Sequence, residues 1–118
     1  MKPLLQKPSF LVPTDDRLVI EEHFGRAGIA DEGLSLARLI APPHWVELHQ
    51  TPAFDEYTLI FSERKQIEVD GKNYILGPGG SILVYKGSRV QYSNPFDEPV
   101  AYCAVCIPPF TLEGAHRE

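Results

Sequence analysis

Apolar and polar residues alternate along most of this chain with a period of two, the signature of strands whose two faces meet different surroundings. The alternation predicts strands over Leu18–Glu22, Leu34–Ile40, Trp45–His49, Glu56–Ser62, Lys65–Val69, Lys72–Leu76, Ser81–Tyr85, Arg89–Ser93 and Val100–Ile107. Helical periodicity is poor throughout, because proline or glycine interrupts every apolar stripe of helical spacing. Turn chemistry separates the strands. Asp70-Gly71 supplies the positive φ angles of a tight two-residue hairpin, Gly77-Pro78-Gly79-Gly80 a second reversal, and Asn94 to Pro99 a third in which two prolines remove backbone donors. Many short strands at short spacing predict an all-β sandwich or closed barrel.

The strand Glu56–Phe61 places Glu56, Thr58 and Ile60 on one face and Tyr57, Leu59 and Phe61 on the other. The second face is apolar and needs cover. Either the first forty residues fold back over the aromatic one or a second subunit does, and a homodimer is the expectation.

The 118 residues amount to one domain and leave no room for a second catalytic one. A net charge of −5, with no basic cluster longer than Arg64-Lys65, argues against a nucleic-acid partner. The opening stretch MKPLLQKPSFLVP lacks an unbroken apolar core, and nothing elsewhere approaches a membrane-spanning run. A cytoplasmic protein without membrane contact is expected. Cys103 and Cys106 form a C-x-x-C, but in a strand residues three apart face opposite ways, so the pair reads as core cysteines rather than as a redox or zinc element. Asp15-Asp16 and Glu21-Glu22 read as solvated charge pairs.

Between Pro43 and Asn94 the chain resembles the cupin family. The family's first motif runs Gly, five residues, His-x-His, three or four residues, Glu, six residues, Gly; His49 and Glu56 fall on its first histidine and its glutamate, while Pro43, Thr51 and Glu63 stand at the other positions. In the second motif Gly79, Gly87 and Asn94 match, and Tyr85 and Val90 replace the proline and the histidine. The fifteen residues from Arg64 to Pro78 match the connection of compact members. The resemblance implies a jelly-roll, or double-stranded β-helix, cupin barrel over residues 1–118: N-terminal strands and cover over 1–40, barrel motifs over 43–107 and a tail over 108–118.

A metal-dependent cupin holds one divalent ion with two histidines, the glutamate and a later histidine, and this chain keeps only His49 and Glu56 of those four. Transition metals usually take three or more protein ligands. If Trp45–Thr51 is extended, Glu47 and His49 share a face with Thr51, and Tyr92 shares one with Val90. Glu47, His49 and Glu56 are therefore the candidate ligands for one divalent ion, with zinc, iron, manganese and nickel undistinguished. Glu56, His49 and Tyr92 are the candidate catalytic groups, and Trp45, Thr51 and Val90 the candidate pocket wall for a small polar organic molecule. An interior Glu–His pair is also raw material for isomerisation or elimination. Three readings stay open: a variant enzyme, with or without a metal; a non-catalytic ligand-binding or sensory cupin that has lost its metal; and a plain structural dimer. In each, a buried Glu56 needs a partner or takes up a proton.

Overall fold

A computed structural model describes all 118 residues. Eleven strands form: β1 Phe10–Val12, β2 Val19–Gly25, β3 Ile29–Ala30, β4 Ser35–Ala41, β5 Trp45–Val46, β6 Asp55–Ser62, β7 Lys65–Val69, β8 Lys72–Leu76, β9 Ser81–Val84, β10 Val90–Asn94 and β11 Val100–Ile107. One short helix, α1 (Leu112–Ala115), follows. The nine strands expected from alternation are present, while β1 and β3 lie in stretches without a readable period.

Two sheets face one another as a jelly roll. The larger runs β1-β2-β4-β11-β6-β9, with β3 added beside β2, and the smaller β5-β10-β7-β8. The β7–β8 hairpin turns at Asp70 and Gly71, with φ of 48° and 85°, as the Asp-Gly pair demands. Asn94 fixes the return into β11. Fully buried, it directs its amide at the carbonyls of Ala41, Pro42 and Glu98, and its side-chain oxygen accepts from the Phe96 amide.

Between the sheets Leu18, Ile60, Ile67, Val84, Val90 and Val100 fill one end of the barrel. At the other end the inward positions of the larger sheet are small. Ala37 pairs with Ala104 and Ser35 with Cys106 across β4 and β11, so alternate side chains leave a space where the opposite end is packed. The C-terminal tail closes this end: Phe110 packs on Phe54 with ring centroids 5.6 Å apart, and its amide donates to Ser35 Oγ at 3.0 Å. No helix is long and apolar enough to cross a membrane.

Candidate functional site

The space left by those small residues is a cavity of about 250 Å³ whose wall includes Trp45, Glu47, Gln50, Glu56, Lys65, Tyr92, Tyr102, Cys106 and Arg117. Each arrives by strand parity. On β7, Lys65, Ile67 and Val69 point inward, and Lys65 is the residue of that series at the cavity end. Tyr92 on β10, Tyr102 and Cys106 on β11, and Glu56 on β6 follow the same rule.

Lys65 is fully buried, and its Nζ has no hydrogen-bond partner. It lies 3.6 Å from the centre of the Tyr102 ring, 5.1 Å from that of Trp45 and 5.2 Å from that of Tyr92. Burial drives its pKa down to about 7, against the opposing pull of Glu47 and Glu56. Burial pushes Glu47 up to about 7, although Arg117, 3.5 Å away, works against the rise. Glu56 is also raised by burial, opposed by the thiol of Cys106, which donates to its Oε1 at 3.5 Å, and by Lys65. The phenols of Tyr92 and Tyr102 are held well above their usual range by burial and then by the carboxylates, so both stay protonated donors. The Tyr92 hydroxyl, like Lys65 Nζ and Thr58 Oγ1, has no hydrogen-bond partner in the protein. Two of these three atoms, Lys65 Nζ and the Tyr92 hydroxyl, belong to residues of the cavity wall.

The cavity walls are tied in place from outside. Trp45 donates its indole N–H to Asp16 at 2.9 Å, and Asp16 also accepts from the Leu18 amide. Glu22 accepts from the amides of Ala27 and Gly28 at 2.6 and 2.7 Å, holding the β2–β3 turn against the cavity. Gly25 permits that turn. Its φ is +139°, and a Cβ there would stand 2.8 Å from both Glu22 Oε1 and Ser35 Cβ. Glu22, which is buried, is thus not the solvated charge that its position in an acidic pair suggests.

Of the residues expected at the site, the structure brings together Trp45, Glu47, Glu56 and Tyr92. It does not bring His49. Val46 pairs with Ser93 and Gln50 with Val90, so four steps along the first segment match three along β10. The extra residue is a bulge, which reverses the parity after Glu47. Gln50 is turned inward, and His49 points outward to Glu68, with Nε2 2.9 Å from Oε2. The expected Glu56–His49 pair across the cavity is therefore corrected. Thr51 lies past the bulge, outside the cavity wall, with its amide bonded to the His116 carbonyl. Val90 is fully buried in the packed core and does not line the cavity.

This donor set does not fit a divalent cation. No group of three or more His, Cys, Asp or Glu side chains is placed to hold one, and the cation beside Glu47 and Glu56 is the lysine of the chain itself.

Five of the wall residues named above escaped sequence reasoning: Gln50, Lys65, Tyr102, Cys106 and Arg117. Lys65 carried a signal, since a lysine shares the face of Ile67 and Val69, an apolar inward series. Arg117, in the tail, reaches Gln50 and Glu47 through backbone pairings that no local pattern announces.

No family model matches the sequence. Among curated proteins the chain is 39% identical over 108 residues to a Myxococcus xanthus protein named endoribonuclease YbeY; the match takes in 92% of this chain but only 37% of that protein. Among solved structures, a Tyr-to-Phe variant of Streptomyces PAC13 with uridine matches 100% of this chain and 91% of its own, at a TM-score of 0.79 and 9% identity. The Cupin_2 domain of an XRE-family transcriptional regulator from Enterobacter cloacae covers 79% of this chain and 98% of that domain, at a TM-score of 0.67 and 18% identity. A sugar phosphate isomerase of the cupin superfamily from Silicibacter pomeroyi covers 78% and 60%, at a TM-score of 0.66 and 18% identity. The chain has the cupin fold.

Proposed function

We propose that this chain acts on a small polar organic molecule by general acid–base chemistry in its cavity, with Glu56 and Glu47 exchanging protons with the ligand and Tyr92 donating a hydrogen bond to it. The observation that carries this reading is the convergence of two buried carboxyl groups on one cavity of about 250 Å³. A group that titrates near the working pH is both a competent acid and a competent base, and Glu47 is held at about 7. The cavity, at about 250 Å³, lies just below the usual range for small-molecule sites, roughly 300 Å³ and up, which favours a ligand of one ring or a short chain. Two structural neighbours agree with that class, one solved with uridine and one named a sugar phosphate isomerase.

Isothermal titration with uridine and a panel of small hydroxylated acids, aldehydes and sugars tests the ligand class. Deuterium uptake from heavy water into a bound compound, followed by NMR, tests the chemistry. Binding with exchange that is lost in Glu56→Gln while binding survives is the expected result. Failure of every compound to bind overturns the reading.

A second reading has its own support. The regulator domain and the Myxococcus match are each part of a longer protein, 37% of it in the latter case, which favours a ligand-sensing module serving another activity. Binding without any exchange or turnover distinguishes it from the first. Ribonuclease activity is not carried over on the relative's name: a net charge of −5 without a basic cluster offers RNA no electrostatic footing.

We also propose that a second copy of the chain covers the outer face of the larger sheet. Cross-strand rows there run Leu36, Val105, Tyr57, Leu83 and Arg38, Cys103, Leu59, Ser81. The charge at the middle of the face, Arg38, is neutralised within it by Glu21 at 3.2 Å. With Arg38 and Glu21 paired, the centre of the face can meet its own copy about a two-fold axis without like-charge repulsion.

A further inference from the structure

We propose that Lys65 is a nucleophilic amine that forms an imine with the carbonyl carbon of an aldehyde or ketone ligand in the cavity. This rests on the reading of the cavity as an acid–base site and names its substrate class.

The observations are geometric first. Lys65 is fully buried, lines the cavity and leaves Nζ without a hydrogen-bond partner, although three carboxylates or amides of the same wall (Glu47, Gln50, Glu56) could have supplied one. A lysine serving only as a structural counter-ion settles in contact with a carboxylate, because an unpaired buried ammonium is costly. Here Nζ instead lies 3.6 Å from the centre of the Tyr102 ring, with the centres of the Trp45 and Tyr92 rings at 5.1 and 5.2 Å. The amine is held by its apolar stem among aromatic groups in the wall of the cavity. The other four lysines, Lys2, Lys7, Lys72 and Lys86, are all exposed.

An amine reacts through its lone pair, so it must be neutral. Burial holds Lys65 at about 7, which leaves much of it unprotonated at neutral pH, whereas exposed lysines near 10.4 are almost wholly charged. In the addition step the nitrogen lone pair forms the C–N bond, and the carbonyl π pair moves to oxygen. That oxygen takes a proton from the Glu47 or Glu56 carboxyl group, and the nitrogen returns one to the resulting carboxylate, giving the neutral carbinolamine. A second protonation of the oxygen lets it leave as water while the nitrogen lone pair forms the C=N bond. The nitrogen's second proton passes to the carboxylate. Amine and carbonyl thus become imine and water, and the carboxyl groups are regenerated. The two raised carboxyl groups keep protons available where this sequence needs them.

Reductive trapping tests the step on the intact chain. Glycolaldehyde and dihydroxyacetone are added at pH 7 with sodium cyanoborohydride, and the modified residues are located by peptide mass mapping. Modification of Lys65 at least roughly tenfold faster than of any of the four exposed lysines is expected. The labelling should be absent in Lys65→Met, whose fold is checked by its melting curve. It should slow in Glu56→Gln, which keeps the amine but removes one proton donor. Labelling of Lys65 no faster than of the exposed lysines, while uridine or another panel compound still binds, overturns the imine and leaves the acid–base reading standing. Absence of both labelling and binding overturns the two together.

Discussion

Lys65 Nζ stands 3.6 Å above the centre of the Tyr102 ring, and that ring face is its closest electrostatic partner. A desolvated cation–π contact is worth about 2 kcal/mol, while taking an ammonium out of water costs several kcal/mol even after relaxation. The contact therefore offsets only part of the cost, and the folded state carries a net penalty at this residue. A stability penalty retained inside a cavity is what a binding group shows and a packing group does not.

Replacing Lys65 removes the penalty. Lys65→Met keeps an unbranched apolar stem of similar length, fills the aromatic cage and buries no charge. Stabilisation in chemical denaturation at neutral to alkaline pH is expected, because burial outweighs the pull of Glu47 and Glu56 on this lysine. Loss of stability would mean that the ammonium is better solvated than its burial indicates.

Stability should also pass through a minimum near neutral pH. Glu47 has a folded-state pKa raised from 4.5 to about 7, so its contribution is fully present below 4.5 and is lost as pH rises to about 7. Glu56, raised by burial, acts in the same direction. Lys65 is lowered from 10.5 to about 7, so between those values the unfolded chain binds the extra proton and stability climbs with pH. Thermal unfolding between pH 5 and 9 should show the two arms, and Lys65→Met should lose the alkaline one. A melting temperature that is flat across this range would contradict both shifts.

Much of this fold was legible because strands of one buried face announce themselves. Glu56, Tyr92 and Trp45 reach the cavity by simple alternation, and Asp70-Gly71 turns where its chemistry says it must. The site was less legible at His49, for a physical reason. One extra residue between Val46 and Gln50 reverses the face of everything after it, and a bulge leaves no mark in an alternating pattern of this length. A motif position occupied by histidine was therefore matched in sequence yet turned away in space. Arg117 was illegible for another reason: only the pairing of Glu118 N with the His49 carbonyl, and of Arg117 with Gln50, carries the tail to the cavity.

The position of His49 gives a direct test. Its ring meets Glu68 on the outer face of the smaller sheet, with both side chains about a quarter exposed, at 24% and 26%. His49→Ala should cost on the order of 1 kcal/mol of stability and leave binding by calorimetry, as well as lysine labelling, unchanged. A large loss of binding would return His49 to the site and undo the bulge assignment.

Asn94 is the motif residue whose role is structural. One amide group serves the carbonyls of Ala41, Pro42 and Glu98, at 3.3, 3.0 and 2.8 Å, and removing it leaves buried acceptors unmet. Asn94→Ala should destabilise by about 2–4 kcal/mol in denaturant titrations, with Asn94→Asp no rescue because a carboxylate cannot donate. An effect under about 1 kcal/mol would show that water replaces the amide at those carbonyls.

The outer face of the larger sheet makes the last prediction. Tyr57, Leu59 and Phe61 are 46%, 39% and 49% exposed, a run of large apolar side chains on one strand, and the flanking rows on β11 and β9 add Val105 and Leu83. Light scattering at micromolar concentration should give twice the mass of the chain. Leu59→Asp places two like charges face to face about the symmetry axis and should return the monomer. Because Leu59 points away from the cavity, the monomeric variant should keep its ligand binding and its lysine labelling. A wild-type monomer at these concentrations would remove the second copy from this face, and it would leave the chemistry of the cavity untouched.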